Sequence, residues 1–212
     1  MIWTAGACAV CLCICMPLYM YYKHQTAHLH LACCYKVLGT LCAFLMALIA
    51  AVRLDPRCWI LAAGLLFYTA ADYTLEFNFT LGAGLFLAGH VINIPFFLNL
   101  APPSAVHLVS LLILGGMGCF VFYSWRKAIG KQMKFFIVYG VSLLLMVVCA
   151  VGCFMMNSLM GILIAAGGMM FYLSDFFLMR RILFPAGRLI SWVIMTTYYS
   201  ALLLFGIASL LI

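Results

Sequence analysis

Apolar residues run along this chain in stretches of about twenty, separated by short polar breaks. A helix rises 1.5 Å per residue, so about 20 apolar residues cross a hydrocarbon layer of ~30 Å. Eight such stretches are predicted, over residues 3–22, 31–52, 58–76, 80–99, 105–124, 134–155, 158–179 and 188–211. Pro56, the pair Pro102-Pro103, and Pro185 fall in the breaks, where a residue lacking a backbone N–H costs no helical hydrogen bond. Pro17 and Pro95 fall within predicted spans and should kink them or lie near their ends. The predicted fold class is all-α: a polytopic membrane protein in which residues 1–212 form a single domain, a bundle of eight transmembrane helices.

Composition agrees with this pattern. Hydrophobic residues make up 69% of the chain and charged residues 7%, against ~25% charged in a soluble domain. The net charge of +7 does not point to nucleic acid, because the cations sit in short connections. Lys23, Arg126, Lys127, Lys131, Lys134, Arg180, Arg181 and Arg188 fall in odd-numbered connections, and only Arg53 and Arg57 in even-numbered ones. That bias predicts cytoplasmic odd loops and both termini on the far side, in the inner membrane of a bacterium or the endoplasmic reticulum of a eukaryote. The expected partners are membrane lipids. The N-terminus lacks the basic lead-in of a cleaved signal, so residues 1–22 are expected to be retained as the first span. The eleven cysteines lie mainly in apolar stretches and read as small, polarizable packing residues rather than a disulfide framework.

Against this background Asp72 and Asp175 stand out. Each lies in an apolar run, where a carboxyl group costs roughly 2.5–3.5 kcal/mol even on the lenient insertion scale. Their lead-ins are alike: Gly64-Leu-Leu-Phe-Tyr-Thr-Ala-Ala-Asp72 and Gly168-Met-Met-Phe-Tyr-Leu-Ser-Asp175. They are four spans apart and point the same way, which suggests a four-plus-four pseudo-repeat about an axis along the membrane normal. The topology puts both near the cytoplasmic ends of their spans. Glu76 follows Asp72 by one helical turn, and Lys36 opens the second span at a similar level. Together these groups predict a polar chamber facing the cytoplasmic leaflet. His90 is expected near the midplane, with Tyr198 and Tyr199 at similar depth. Gly161, Ala165 and Gly168 should turn Asp175 inward.

Each of these residues has a structural alternative. Asp72 could serve an ion pair with Lys36, and Lys36 could snorkel to the head groups or hold a substrate phosphate. His24, His28 and His30 share one loop, but a catalytic zinc site needs about three protein ligands, and an interfacial role is the commoner one for such histidines. Asn78-Phe79-Thr80 fits a glycosylation sequon but falls in a predicted cytoplasmic loop. No nucleotide loop, nucleophile elbow or metalloprotease motif is present.

The segments Gly64…Asp72, Gly84-Leu-Phe-Leu-Ala-Gly-His90-Val-Ile-Asn-Ile-Pro-Phe96, Phe171-Tyr-Leu-Ser-Asp175 and Thr196-Thr-Tyr-Tyr-Ser-Ala201 resemble the YhhN family. That family includes the lysoplasmalogenases, eight-span membrane hydrolases that split the vinyl ether of a lyso-ether phospholipid into a fatty aldehyde and a glycerophospho-head group. The family pattern of an aspartate ending span three, a histidine in span four, a Ser-Asp in span seven and a tyrosine in span eight has counterparts here. So does a lysine opening span two. Ala71, Val37 and Asn93 stand where the family usually has glycine, proline and tyrosine, and these changes leave the charged groups intact. The resemblance implies a lysophospholipid substrate taken from the bilayer, with no metal or organic cofactor. Asp72 and Asp175 would be the catalytic acid and base, and Lys36, Glu76, His90, Asn93, Tyr198 and Tyr199 would support them or bind substrate. Two carboxyls in a low-dielectric site can divide into acid and base, as in glycosidases that pass through an oxocarbenium-like state. Intramembrane acids and a histidine also suit the rival reading, a proton-coupled transporter or lipid translocator. A metal-dependent lipid hydrolase is the third.

Overall fold

A computed structural model describes residues 2–23 and 25–212, with side chains from residue 6 onward except at positions 24 and 26. Every regular element among them is helical. The first rod is α1 (Ile2–Ala9), a π-helical stretch (Val10–Cys15) and α2 (Met16–Tyr22). The wide stretch ends where Pro17 enters, as expected of a residue that lacks a donor and whose ring crowds the preceding turn. Then follow α3 (Leu29–Arg53), α4 (Cys58–Thr74), α5 (Phe79–Leu100), α6 (Ala105–Ile129), α7 (Met133–Gly152), α8 (Leu159–Leu183) and α9 (Arg188–Ser209). Pro95 lies inside α5, near its end.

Short polar side chains set the helix starts, because the first N–H groups of a helix have no intrahelical partner. Asn78 accepts from the Leu81 N–H at 3.0 Å, which gives the sequon asparagine a capping role. Ser158 accepts from the Gly161 N–H at 3.1 Å. Ser104 and His107 form a reciprocal capping box at the start of α6. Between α3 and α4, hydrogen bonds from Arg57 hold the Asp55 carboxyl below its ordinary range.

Five stretches are long and apolar enough to cross a membrane: Leu29–Arg53, Phe79–Leu100, Ala105–Met156, Leu159–Leu183 and Arg188–Ser209. They mark an integral membrane protein. The stretch Ala105–Met156 folds back on itself at Gly130, whose φ of 57° suits glycine, and α6 then packs on α7. The rod Gly6–Tyr22 and α4 are shorter. Helix packing does not by itself establish the four-plus-four repeat. It does close a ring in the order α3–α4–α5–α7–α8–α9, with α9 returning to α3. The α2 segment lies outside this ring on α3, and α6 lies outside it on α7.

The polarity is inside out relative to a soluble bundle. Leu112 and Phe120 of α6 are 66% and 71% exposed, whereas Lys36, Thr40, Asp72, His90 and Asn93 are buried. Contact between helices therefore depends on small residues as well as on polar pairing. At the α3–α9 seam, a Cβ on Gly206 would stand 3.1 Å from the Ala43 Cα and carbonyl oxygen. Nothing lies within 4 Å of the corresponding point on Gly116 in α6. Gly206→Val is expected to separate α9 from α3 and to cost about 1–3 kcal/mol. Gly116→Ala should leave stability unchanged or slightly raised. Thermal unfolding of the two purified variants in one detergent checks this.

Candidate functional site

Two polar networks lie within the bundle, and each contains one of the aspartates. The first is an ion cluster spanning α2, α3, α4 and α9. Asp72 is fully buried two residues before the end of α4. Its Oδ1 lies 3.4 Å from Lys36 Nζ, close enough for an ion pair but without hydrogen-bond geometry. Its Oδ2 accepts from Thr40 and, at 2.9 Å, from the Tyr198 hydroxyl. Lys36 also reaches Glu76 Oε1 at 3.2 Å. That oxygen accepts from the Tyr19 hydroxyl at 2.6 Å and lies 3.6 Å from Lys23. Lys23 stands in the turn after α2, where burial brings its ammonium down to about 8. Tyr199 donates to the Lys36 main-chain carbonyl at 3.1 Å, and its ring lies against Gly39. Two ammonium and two carboxylate groups thus neutralise one another, as the high cost of a lone buried charge requires.

The second network runs from α8 to α4. Tyr139 of α7 donates to Asp175 Oδ2 at 2.6 Å. His90 Nε2 lies 3.4 Å from the Tyr139 oxygen, and His90 Nδ1 lies 2.8 Å from the Tyr68 oxygen. Asn93 Nδ2 donates to Tyr68 at 3.3 Å. Two glycines make room for this chain: a Cβ on Gly64 would collide with the Asn93 amide, and one on Gly89 with the Tyr68 ring.

The sequence-predicted residues therefore fall into two groups. Lys36, Glu76, Asp72, Tyr198 and Tyr199 come together, while His90 and Asn93 join Asp175. No hydrogen bond or ion pair links the two aspartates among the described residues. Phe86 and Phe171 touch both groups, packing on Tyr198 of the first and on Tyr68 of the second. In place of one chamber holding both carboxylates there is an ion cluster, buried at Asp72 and Lys36 and partly exposed at Glu76 and Lys23, and a separate tyrosine–histidine chain.

Asp175 differs from Asp72 in a second way. It is partly exposed, and it lines a cavity of about 400 Å³ bounded by α5, α6, α7 and α8. The other walls are almost wholly apolar, including Phe79, Phe86, Phe122, Phe136, Leu143 and Met179. The cavity forms where the outlying α6 meets α8 through a few contacts: the Tyr172 hydroxyl on the Leu114 carbonyl at 3.1 Å, and Trp125 against Phe176 and Phe184. Asp175 has no ion-pair partner among the described residues. Helix α8 also runs on to Leu183, past the predicted end at 179. Asp175 is therefore eight residues from the helix end, about 12 Å of rise, with Arg180 and Arg181 between them.

Tyr68, Tyr139, Thr40 and Tyr19 escaped the sequence reading. A buried phenol needs a hydrogen-bond partner, so tyrosines within apolar runs were the available signal. Thr40 also follows Lys36 by four residues, on one helix face. Among the described residues no group of three metal-binding side chains comes together. His30 instead bonds Tyr73 at 3.2 Å and stacks on Phe77, and His24 lies outside the described residues.

Removing one partner of a buried ion pair strands the other charge at a cost of about 3–5 kcal/mol, whereas replacing both with apolar groups can be nearly neutral. Asp72→Leu and Lys36→Met are each expected to lower the unfolding midpoint sharply. The double variant should recover much of the loss in the same detergent unfolding assay.

No curated protein and no solved structure matches the chain. The model of the YhhN family matches residues 31–209, which takes in α4 to α9 whole and all but the start of α3. With the aspartates, the histidine and the α9 tyrosines all inside that match, this chain belongs to the YhhN family.

Proposed function

We propose that this protein is a membrane hydrolase that cleaves the vinyl ether of lysoplasmalogens, crosses the bilayer eight times and keeps its odd-numbered connections in the cytoplasm. The observation that carries this reading is the Asp175 carboxyl on the wall of an otherwise apolar cavity. A vinyl ether is hydrolysed by an acid that protonates the carbon beta to oxygen. The acid must be held in a water-poor site next to a hydrocarbon chain. Membership of the YhhN family supports the same class of substrate.

On this reading a single-chain lipid lies with its alkenyl tail among Phe79, Phe122, Phe136 and Leu143. Its enol ether is brought to Asp175. Arg180 follows cavity-lining Met179 and has a buried Nη1 without a hydrogen-bond partner among the described residues. On this reading it is the cation that would receive the phosphate. Asp175 gives its proton to the double bond, and its carboxylate then faces the oxocarbenium ion and takes a proton from the attacking water. The hemiacetal collapses to aldehyde and alcohol. Asp72, already paired with Lys36, holds α3, α4 and α9 in place instead of donating a proton.

General acid catalysis is typically worth 10²–10⁴-fold. Purified protein incubated with lysoplasmalogen and with its saturated-ether analogue is expected to release fatty aldehyde from the first alone, as read by mass spectrometry. Asp175→Asn should lower the rate by at least about 10²-fold. Absence of aldehyde from the parent protein would favour a transporter instead.

A further inference from the structure

We propose that Asn93, Tyr68, His90 and Tyr139 form a hydrogen-bond chain of fixed direction, which determines which oxygen of Asp175 carries the catalytic proton. The inference rests on the functional reading above and adds positioning residues to it. Its starting point is the two ends of the chain. At one end Asn93 presents its amide nitrogen, Nδ2, to the Tyr68 oxygen at 3.3 Å, and an amide nitrogen can only donate. At the other end Tyr139 gives its only proton to Asp175 Oδ2 at 2.6 Å.

The middle follows from counting donors. Because the Tyr139 proton is committed to Asp175, its oxygen accepts from His90 Nε2. Because the Tyr68 oxygen accepts from Asn93, its proton goes to His90 Nδ1 at 2.8 Å. His90 must then be neutral and protonated on Nε2, since Nδ1 is an acceptor. All four bonds run one way, from Asn93 to Asp175. Bonds aligned in this manner polarise one another, and the gain is larger where water is excluded. Phe171 packs edge-on against His90 at 5.2 Å and seals that side.

The consequence falls on Asp175. With Oδ2 occupied by the Tyr139 proton, the acid proton resides on Oδ1, which takes no hydrogen bond among the described residues. When Oδ1 delivers that proton, the π electrons of the vinyl ether form the new C–H bond, and the carboxylate left behind is held by the Tyr139 donor. Water then adds to the oxocarbenium carbon and returns a proton to Oδ1. The glycerol C–O bond breaks as the hemiacetal hydroxyl proton passes to the departing oxygen. Asp175 ends the cycle as it began. Tyr139 and His90 keep their own protons throughout and act by position.

Two measurements test the chain. The first does not depend on turnover. Protein labelled with ¹⁵N at histidine is examined by NMR, and the His90 signals are assigned by their loss in His90→Gln. A protonated Nε2 with a bare Nδ1 is expected, and a proton on Nδ1 would overturn the proposal. The second is kinetic, with lysoplasmalogen. Tyr139→Phe removes a hydrogen bond to a charged group and should lower kcat about 10–100-fold with KM within about twofold. His90→Gln keeps a donor at the Nε2 position and should stay within about tenfold of the parent, whereas His90→Phe should fall as far as Tyr139→Phe. Unchanged kcat in Tyr139→Phe, or equal losses in His90→Gln and His90→Phe, would refute the positioning role. If the parent yields no aldehyde while the Nε2 tautomer is found, the hydrolase reading fails and the chain itself stands.

Discussion

Hydrocarbon offers no water to a buried polar atom, so every such atom must find its partner in the protein. This constraint sorts the polar residues of the chain. Asp72 meets it with charge: Thr40 and Tyr198 donate to Oδ2, while Oδ1 has the Lys36 ammonium at 3.4 Å and no hydrogen bond among the described residues. Asp175 meets it only on one side. Tyr139 satisfies Oδ2, and the rest of the carboxyl borders an apolar cavity. Two aspartates in similar sequence contexts thus end in different electrostatic states, one neutralised by a cation and one held by a phenol.

The arrangement of helices produces that difference. The six-helix ring places α3, α4 and α9 in contact, and their inward polar groups close on one another. On the other side, α6 stands outside the ring and packs mainly on α7. At the gap between α6 and α8 the α8 carboxyl has no ion-pair partner among the described residues and an apolar neighbourhood of the size of small-molecule sites, which run to ~300–1,000 Å³. The outlying helix therefore belongs to the site as much as the residues that carry charge. Small residues extend the same logic to the second network. Gly64 and Gly89 let Asn93 and Tyr68 sit where their hydrogen bonds require.

Much of this was legible in the sequence. Runs of apolar residues located the helices to within a few positions, because burial in lipid requires length and little else. The exceptional charges identified Asp72, Asp175, Lys36 and Glu76, because carboxyl and ammonium groups in hydrocarbon have few uses. Partnership was harder to read. Which side chains meet across helices depends on rotation and crossing angle, and nearly uniform apolar faces leave both undetermined in the sequence. Hence Tyr19, Thr40, Tyr68 and Tyr139 went unnoticed, and the two carboxyls were expected in one chamber. Asn78 illustrates the same limit at short range. Its sequon pattern is visible in three residues, whereas its capping bond to Leu81 needs the start of α5 to be known.

The central claim is that Asp175, not Asp72, meets the reacting group. An experimental structure with the saturated-ether lysolipid, which binds but offers no double bond to protonate, tests this most directly. The account predicts the alkyl tail in the cavity between α5, α6, α7 and α8, with the vinyl-equivalent carbon about 3–3.5 Å from Asp175 Oδ1, the distance of a reactive approach. Lipid density against Asp72, with the Lys36 pair opened to receive it, would contradict the account.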